Sequence, residues 1–188
     1  MIGALVAGIT GAGGAVLSSY DSIATASGTG SSATITFNLS GVTGYKHLQI
    51  RGVAEVDTYA STINVVRVRF NSDAGNNYSE HVLYGYAGSV TATGTASVSG
   101  VPLYTSLRTD SYYMRSAHII DILDYTSTSK NKTVRALYGS DFNSLYQGNV
   151  GMSSGVWLNT NAITSISLVA PFNFLTTTKY ALYGIKEA

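Results

Sequence analysis

Hydrophobic and polar residues alternate with a period of two along most of this chain, most clearly over residues 117–141 (AHIIDILDYTSTSKNKTVRALYGSD). Ile119, Asp121 and Leu123 alternate there with Ile120, Ile122 and Asp124. After a polar, lysine-bearing turn, Val134, Ala136 and Tyr138 alternate with Arg135 and Leu137. Alternation at this period places successive side chains on opposite faces of a strand, so the segment predicts a long β-hairpin with both faces largely covered.

The same pattern predicts first strands at 20–25 and 32–39, and a half-buried strand over 45–56. In that third strand Leu48, Ile50, Gly52 and Ala54 share one face, and His47, Gln49, Arg51 and Glu55 share the outward one. Over 62–70, Val66, Val68 and Phe70 face inward opposite Val65, Arg67 and Arg69, and 78–86 resumes as strand. The uncharged, low-complexity stretch 87–100 reads as a surface loop or a weak edge strand. A short strand at 103–108 and closing strands at 151–158, 163–170 and 179–186 complete the set, with Trp157 in the core. About ten strands in one domain split into two packed sheets. The expected fold is therefore all-β: a two-sheet antiparallel β-sandwich, jelly-roll-like, over residues 20–188.

Composition agrees with sheet. Among 188 residues Gly numbers 20, Tyr 14 and Pro only 2, which favours strands and turns over helices. Eleven basic residues against ten acidic leave no electrostatic footprint for nucleic acid or an anionic membrane. A weakly charged surface rich in hydroxyls adheres to its neighbours unless its edges are covered, which points to self-association. No cysteine is present, so thiolate metal sites and disulfides are excluded.

The opening MIGALVAGITGAGGAVL is apolar but lacks the basic start of a signal peptide, and its glycines and length do not suit a membrane span. Residues 1–19 are expected to form an attachment arm, with Ile2, Leu5, Val6, Ile9, Val16 and Leu17 as the anchoring side chains. Neither signal peptide nor membrane insertion is expected.

Candidate catalytic chemistry is sparse along the chain. A glycosidase needs two carboxylates across one cleft, and Asp121 and Asp124, three apart in a strand, project to opposite faces. Asp124 is expected to cap the hairpin turn and Asp121 to pair with a base such as Arg135. His47, His81 and His118 fall on separate strands without metal-ligand spacing, and GxSxG is absent. The stretch 71–77 (NSDAGNN) offers oxygens at Asn71, Asp73 and Asn76, but its glycine falls one place early for a calcium loop and the bidentate Glu is missing. A tight turn is expected. No catalytic residue, metal or cofactor is expected.

Aromatic residues are the remaining functional material. Tyr59, Tyr84, Tyr86, Tyr104, Tyr112, Tyr113 and Tyr146 lie in or beside predicted loops and strand ends, where amphipathic rings either pack sandwich edges and interfaces or stack on sugars. The tripeptide Leu-Tyr-Gly recurs at 83–85, 137–139 and 182–184 with irregular spacing. It is expected to supply an inward Leu, an amphipathic Tyr and a Gly that permits a bend or close approach.

Several stretches in order, YDSIAT at 20–25, YKHLQIRG at 45–52, VRFNSDAGNNY at 68–78, IDILDYTSTSKNKTVRALYG at 120–139, WLNTNAITSISL at 157–168 and ALYGI at 181–185, resemble a type of tailed-bacteriophage virion protein found in many phages of cyanobacteria. The resemblance implies a non-enzymatic β-sandwich or jelly-roll module, often a homotrimer, in a tail fibre, spike or head decoration. It would be made in the host cytoplasm and incorporated in the virion. Its implied partners are further copies, other virion proteins and, in a host-attachment module, a host surface glycan. The chain lacks the repetitive stalk of a long fibre, which favours a short fibre, a tip or a capsid-bound trimer.

Overall fold

The computed structural model describes residues 19–57, 64–105, 115–141 and 148–186. These contain twelve strands: β1 (Tyr20–Ser27), β2 (Thr34–Asn38), β3 (His47–Ala54), β4 (Asn64–Phe70), β5 (Tyr78–Tyr86), β6 (Ser89–Val98), β7 (Val101–Thr105), β8 (Ser116–Ile122), β9 (Lys132–Asp141), β10 (Gly148–Trp157), β11 (Ser165–Val169) and β12 (Lys179–Ile185). They form an eight-stranded sheet, β1-β12-β3-β8-β9-β10-β5-β6, and a four-stranded sheet, β2-β11-β4-β7.

The pairs β1/β12, β2/β11, β3/β8 and β4/β7 are nested antiparallel ladders, like a long hairpin wound around the core. Successive members of this set alternate between the sheets, which is the winding of a jelly roll. Two hairpins are added to it. β5–β6 is inserted between β4 and β7, and β9–β10 between β8 and β11, and together they extend only the larger sheet. The smaller sheet therefore does not cover the whole of the larger one.

Alternation builds the core as expected: Leu48, Ile50, Val66, Val68, Phe70, Ile120, Ile122, Val134, Leu168 and Leu182 are buried between the layers. At one end Phe70, Tyr78 and Trp157 meet with ring centroids 5.6 to 6.4 Å apart. The Trp157 indole N–H donates to Asp73 Oδ2 at 2.7 Å, and Asp73 also accepts from the Asn77 amide and the Gly75 N–H. The indole hydrogen bond is the main reason that the Asp73 carboxyl is held below its usual range. Residues 71–77 are thus a hydrogen-bonded turn between β4 and β5, whose one carboxylate is already occupied by donors.

Large rings also cover glycines across the ladder. Tyr138 lies over its register partner Gly151, where an added Cβ would come within 2.5 Å of the ring. Tyr180 covers Gly52 in the same way.

Several polar residues are buried. Lys132 is fully enclosed, and its Nζ donates to the carbonyls of Lys130 at 2.8 Å and Thr160 at 3.0 Å, tying the β8–β9 turn to the segment after β10. Burial pulls its pKa down, with Asp124 opposing. Glu55, placed on the outward face by simple alternation, is buried instead. β3 ends at Ala54, so the period no longer governs residue 55, and its carboxylate meets Arg115 Nε at 3.2 Å and the Thr177 hydroxyl.

Candidate functional site

Tyr84, Tyr86 and Tyr104 are the described members of the tyrosine set; Tyr59, Tyr112, Tyr113 and Tyr146, and residues 1–18 of the expected arm with all its anchoring side chains, lie outside the described residues. Alternation in β5 sends Tyr78, Glu80, Val82, Tyr84 and Tyr86 to the inner side of the larger sheet. There Tyr84 stacks on Tyr104 of β7, with centroids 5.6 Å apart and planes inclined by 4°. The Tyr104 hydroxyl donates to Glu80 Oε1 at 3.4 Å, and its carbonyl accepts from Asn149 Nδ2 at 2.7 Å. Ser140 completes this seam by donating to Asn149 Oδ1.

Glu80 is buried, and this raises its carboxyl pKa, with Arg67 and the Tyr104 hydroxyl acting against the shift. Its Oε2 and the nearby strand's Asn64 Nδ2 are buried without a hydrogen-bond partner. Such groups are uncommon in a core and costly unless neutral or engaged. The sequence reading missed Glu80, although its position two residues from both Tyr78 and Val82 places it on their face.

Register brings the ends of several elements to this side of the sandwich. Ala54, Ser116, Ser140, Asn149 and Tyr86 follow one another across the larger sheet, and Asn64 pairs with Thr105 in the smaller. The described residues on either side of 58–63, 106–114 and 142–147 adjoin this row.

The outer face of the larger sheet carries a second feature. Ile119 pairs with Leu137, Leu137 with Met152, Met152 with Leu83, and Leu83 with Ala92, so one row of apolar side chains crosses β8, β9, β10, β5 and β6. Ile119 is 37 %, Leu83 44 %, Leu137 48 % and Met152 50 % exposed, and Val150 stands beside them. A shallow groove of about 540 Å³ lined by His81, Leu83, Ala92, Gly94, Arg135 and Met152 runs along this ridge. The hairpin expected to be covered on both faces is therefore covered on one. Its inner residues pack in the sandwich, while the apolar outer ones have no second layer within the described residues. The Leu-Tyr-Gly repeats differ for the same reason: Leu83 and Leu137 point outward, and only Leu182 is buried.

The two aspartates of the hairpin have separate tasks. Asp121 faces Arg135 in register and accepts from its Nη2 at 2.8 Å, while Gln49 donates to its other oxygen. Asp124 lies in the turn with φ of 49°, 3.5 Å from Lys130 Nζ. Among the described residues no three His, Asp or Glu side chains gather as a metal site. His118 is instead a buried link: it touches Tyr180 Oη at 2.6 Å through Nδ1 and Ser116 Oγ at 3.0 Å through Nε2.

No protein-family model and no curated protein matches the chain. Among solved structures, a protein of unknown function from Shewanella oneidensis MR-1 is similar at 8 % identity over 90 % of this chain and 77 % of that one, with a TM-score of 0.27. The CBM2 module of the evolved Dit of Lactobacillus casei BL23 phage J-1 is similar at 10 % identity over 82 % of this chain and 69 % of that one, with a TM-score of 0.18. Both scores lie below the level at which two chains share a fold.

Proposed function

We propose that the chain is a non-enzymatic structural module of a tailed-bacteriophage particle. It serves as a short fibre, a tip or a capsid decoration, held to the particle by residues 1–19 and built as a homotrimer whose subunits meet through the outer face of the larger sheet. The observation that carries this reading is the apolar ridge Ile119–Leu137–Met152–Leu83, since an ordered row of half-exposed aliphatic side chains marks a protein contact. Covering it removes apolar area from water at roughly 25 cal/mol per Å². Replacing both Leu137 and Met152 by Lys is expected to abolish the three-fold association of the full-length chain and lower its mass in sedimentation, with its circular dichroism unchanged. Deleting residues 1–19 is expected to leave the oligomer intact while abolishing incorporation into particles. An unchanged mass for the double variant, or normal incorporation of the truncated chain, would remove the corresponding part of the proposal.

A second reading, carbohydrate recognition in host attachment, is favoured by the Tyr84–Tyr104 stack beside the buried Glu80 carboxyl. A pyranose ring stacks on such a face while hydroxyls and amides fix its orientation. Tyr104→Ala is expected to weaken binding to a host polysaccharide by about tenfold or more, the loss of ~1.4 kcal/mol. A glycan array with no binding by the parent protein would exclude this reading.

A further inference from the structure

The two sheets have four edge strands, and three of them carry features that discourage pairing. β1 is broken by a register shift between Ser22 and Ala24 and has the Asp21–Lys186 ion pair at its start. β2 and β7 have five residues each, and β7 contains Pro102. Short length, charge, irregularity and proline are the usual means by which an edge avoids recruiting another strand. β6 is different. It has ten residues, SVTATGTASV, with no charge and no proline, and all but its last residue are exposed.

The hairpin leading into β6 identifies which backbone groups are unused. Tyr86 pairs with Ser89 across Ala87 and Gly88, whose φ angles of 46° and 78° are those of a type I′ turn. A two-residue turn of this kind makes its flanking pair hydrogen-bonded, and hydrogen-bonded pairs then recur at every second position. Ser89, Thr91, Thr93 and Thr95 therefore direct their N–H and C=O groups to β5, opposite Tyr86, Tyr84, Val82 and Glu80. Val90, Ala92, Gly94 and Ala96 direct theirs away from the sheet. Ser97, at φ 59°, lies at the register shift and ends the regular edge.

We propose that β6 is a two-fold pairing edge that takes β6 of a second copy in antiparallel register, centred on Thr93. Identical antiparallel strands keep like faces together only when the two-fold axis passes through a residue position. The axis at Thr93 is the one that pairs all the free residues, Val90 with the partner's Ala96 and Ala92 with the partner's Gly94, each twice. About eight new backbone hydrogen bonds result. The small residues Ala92 and Gly94 next to the axis permit close approach. A side chain at Gly94 would in any case strike the His81 ring, 2.8 Å from its Cβ position. The joined sheet brings the two apolar ridges end to end through Leu83 and Ala92. This inference rests on the assembly reading and names a contact distinct from the three-fold one: a homotrimer that also uses β6 becomes a pair of trimers.

The test is native mass measurement of the full chain, with hydrogen exchange read at Val90, Ala92, Gly94 and Ala96. The expected result is an even number of chains per particle and slowed exchange at those four amides. Ala92→Pro removes an outward N–H without touching the β5 ladder, and is expected to halve the mass with the thermal midpoint unchanged. Thr93→Lys, which sets two ammonium groups across the axis, is expected to do the same, and mixing it with Thr93→Glu to restore pairing. A parent protein that is a plain trimer, or whose mass ignores Ala92→Pro, overturns the β6 contact and leaves the assembly reading standing. A parent that stays single at every concentration overturns both.

Discussion

Acidification from pH 6.5 towards about 3 is expected to weaken this fold by several kcal/mol, and His118 is the cause. Its ring is buried against Tyr180 and Ser116, and burial without a countercharge lowers its pKa from 6.5 to about 3. The Ser116 hydroxyl donates onward to the Gly139 carbonyl, so it accepts from His118 Nε2–H, and Tyr180 donates to Nδ1. A neutral ring satisfies this chain. A protonated one places an unpaired charge in the core. Between pH 6.5 and about 3 the unfolded chain binds the proton that the folded chain refuses, so stability falls as pH falls. The slope is roughly 1.4 kcal/mol per pH unit, about 5 kcal/mol at most across the window. This is a large part of the ~5 to 15 kcal/mol that holds a typical domain.

Other groups modify the lower end. Asp73, with its lowered pKa, adds stability that is present above the ordinary carboxylate range and lost as pH falls through its folded value. Glu80 acts in the opposite sense: its raised pKa gives stability that is present at low pH and lost as pH rises through the folded value. Urea midpoints measured from neutral pH down to pH 4 should fall steeply for the parent and much less for His118→Gln. Parallel loss in both proteins would show that His118 is not the responsible group.

Trp157→Ala is expected to cost about 3 to 5 kcal/mol, the range for deleting a large buried ring. The residue is 1 % exposed and fills the end of the sandwich against Phe70 and Tyr78. Its loss also releases Asp73, which organises residues 73–77. Trp157→Phe keeps most of the ring but gives up a hydrogen bond to a charged group, worth about 1.5 to 3 kcal/mol. Chemical denaturation followed by circular dichroism measures both, because the chain's single tryptophan is then absent as a fluorophore. If Asp73→Asn proves as costly in the Trp157→Phe background as in the parent, the indole–carboxylate contact contributes nothing.

Local pattern carried much of the fold because a half-buried strand repeats every two residues whatever it pairs with. The predicted strands at 45–56, 62–70, 78–86 and 179–186 correspond to β3, β4, β5 and β12, and Asp121 with Arg135 is a cross-strand pair. Where the period is interrupted, reading by alternation failed, as at Glu55. The stretch 87–100, with too little contrast between its faces to distinguish a loop from a strand, is β6 and the turn before it. The tyrosine set was legible as chemistry. The meeting of Tyr84 with Tyr104, from strands in different sheets, was not.

Sequence alone determined that this is an all-β chain with alternating strands, that Trp157 belongs to the core and that Asp121 pairs with Arg135, since side-chain direction in a strand is a local property. Only the tertiary structure decided which apolar face would remain open. Ile119 and Leu137 read as buried because they are apolar, yet burial needs a second layer, and the smaller sheet supplies one on a single side. Pairing order likewise assigned β6 to an edge, and with it the free backbone groups of Val90, Ala92, Gly94 and Ala96. Neither an open face nor an edge is written in a strand's own residues, because each is defined by which of the described elements pack against it or pair with it.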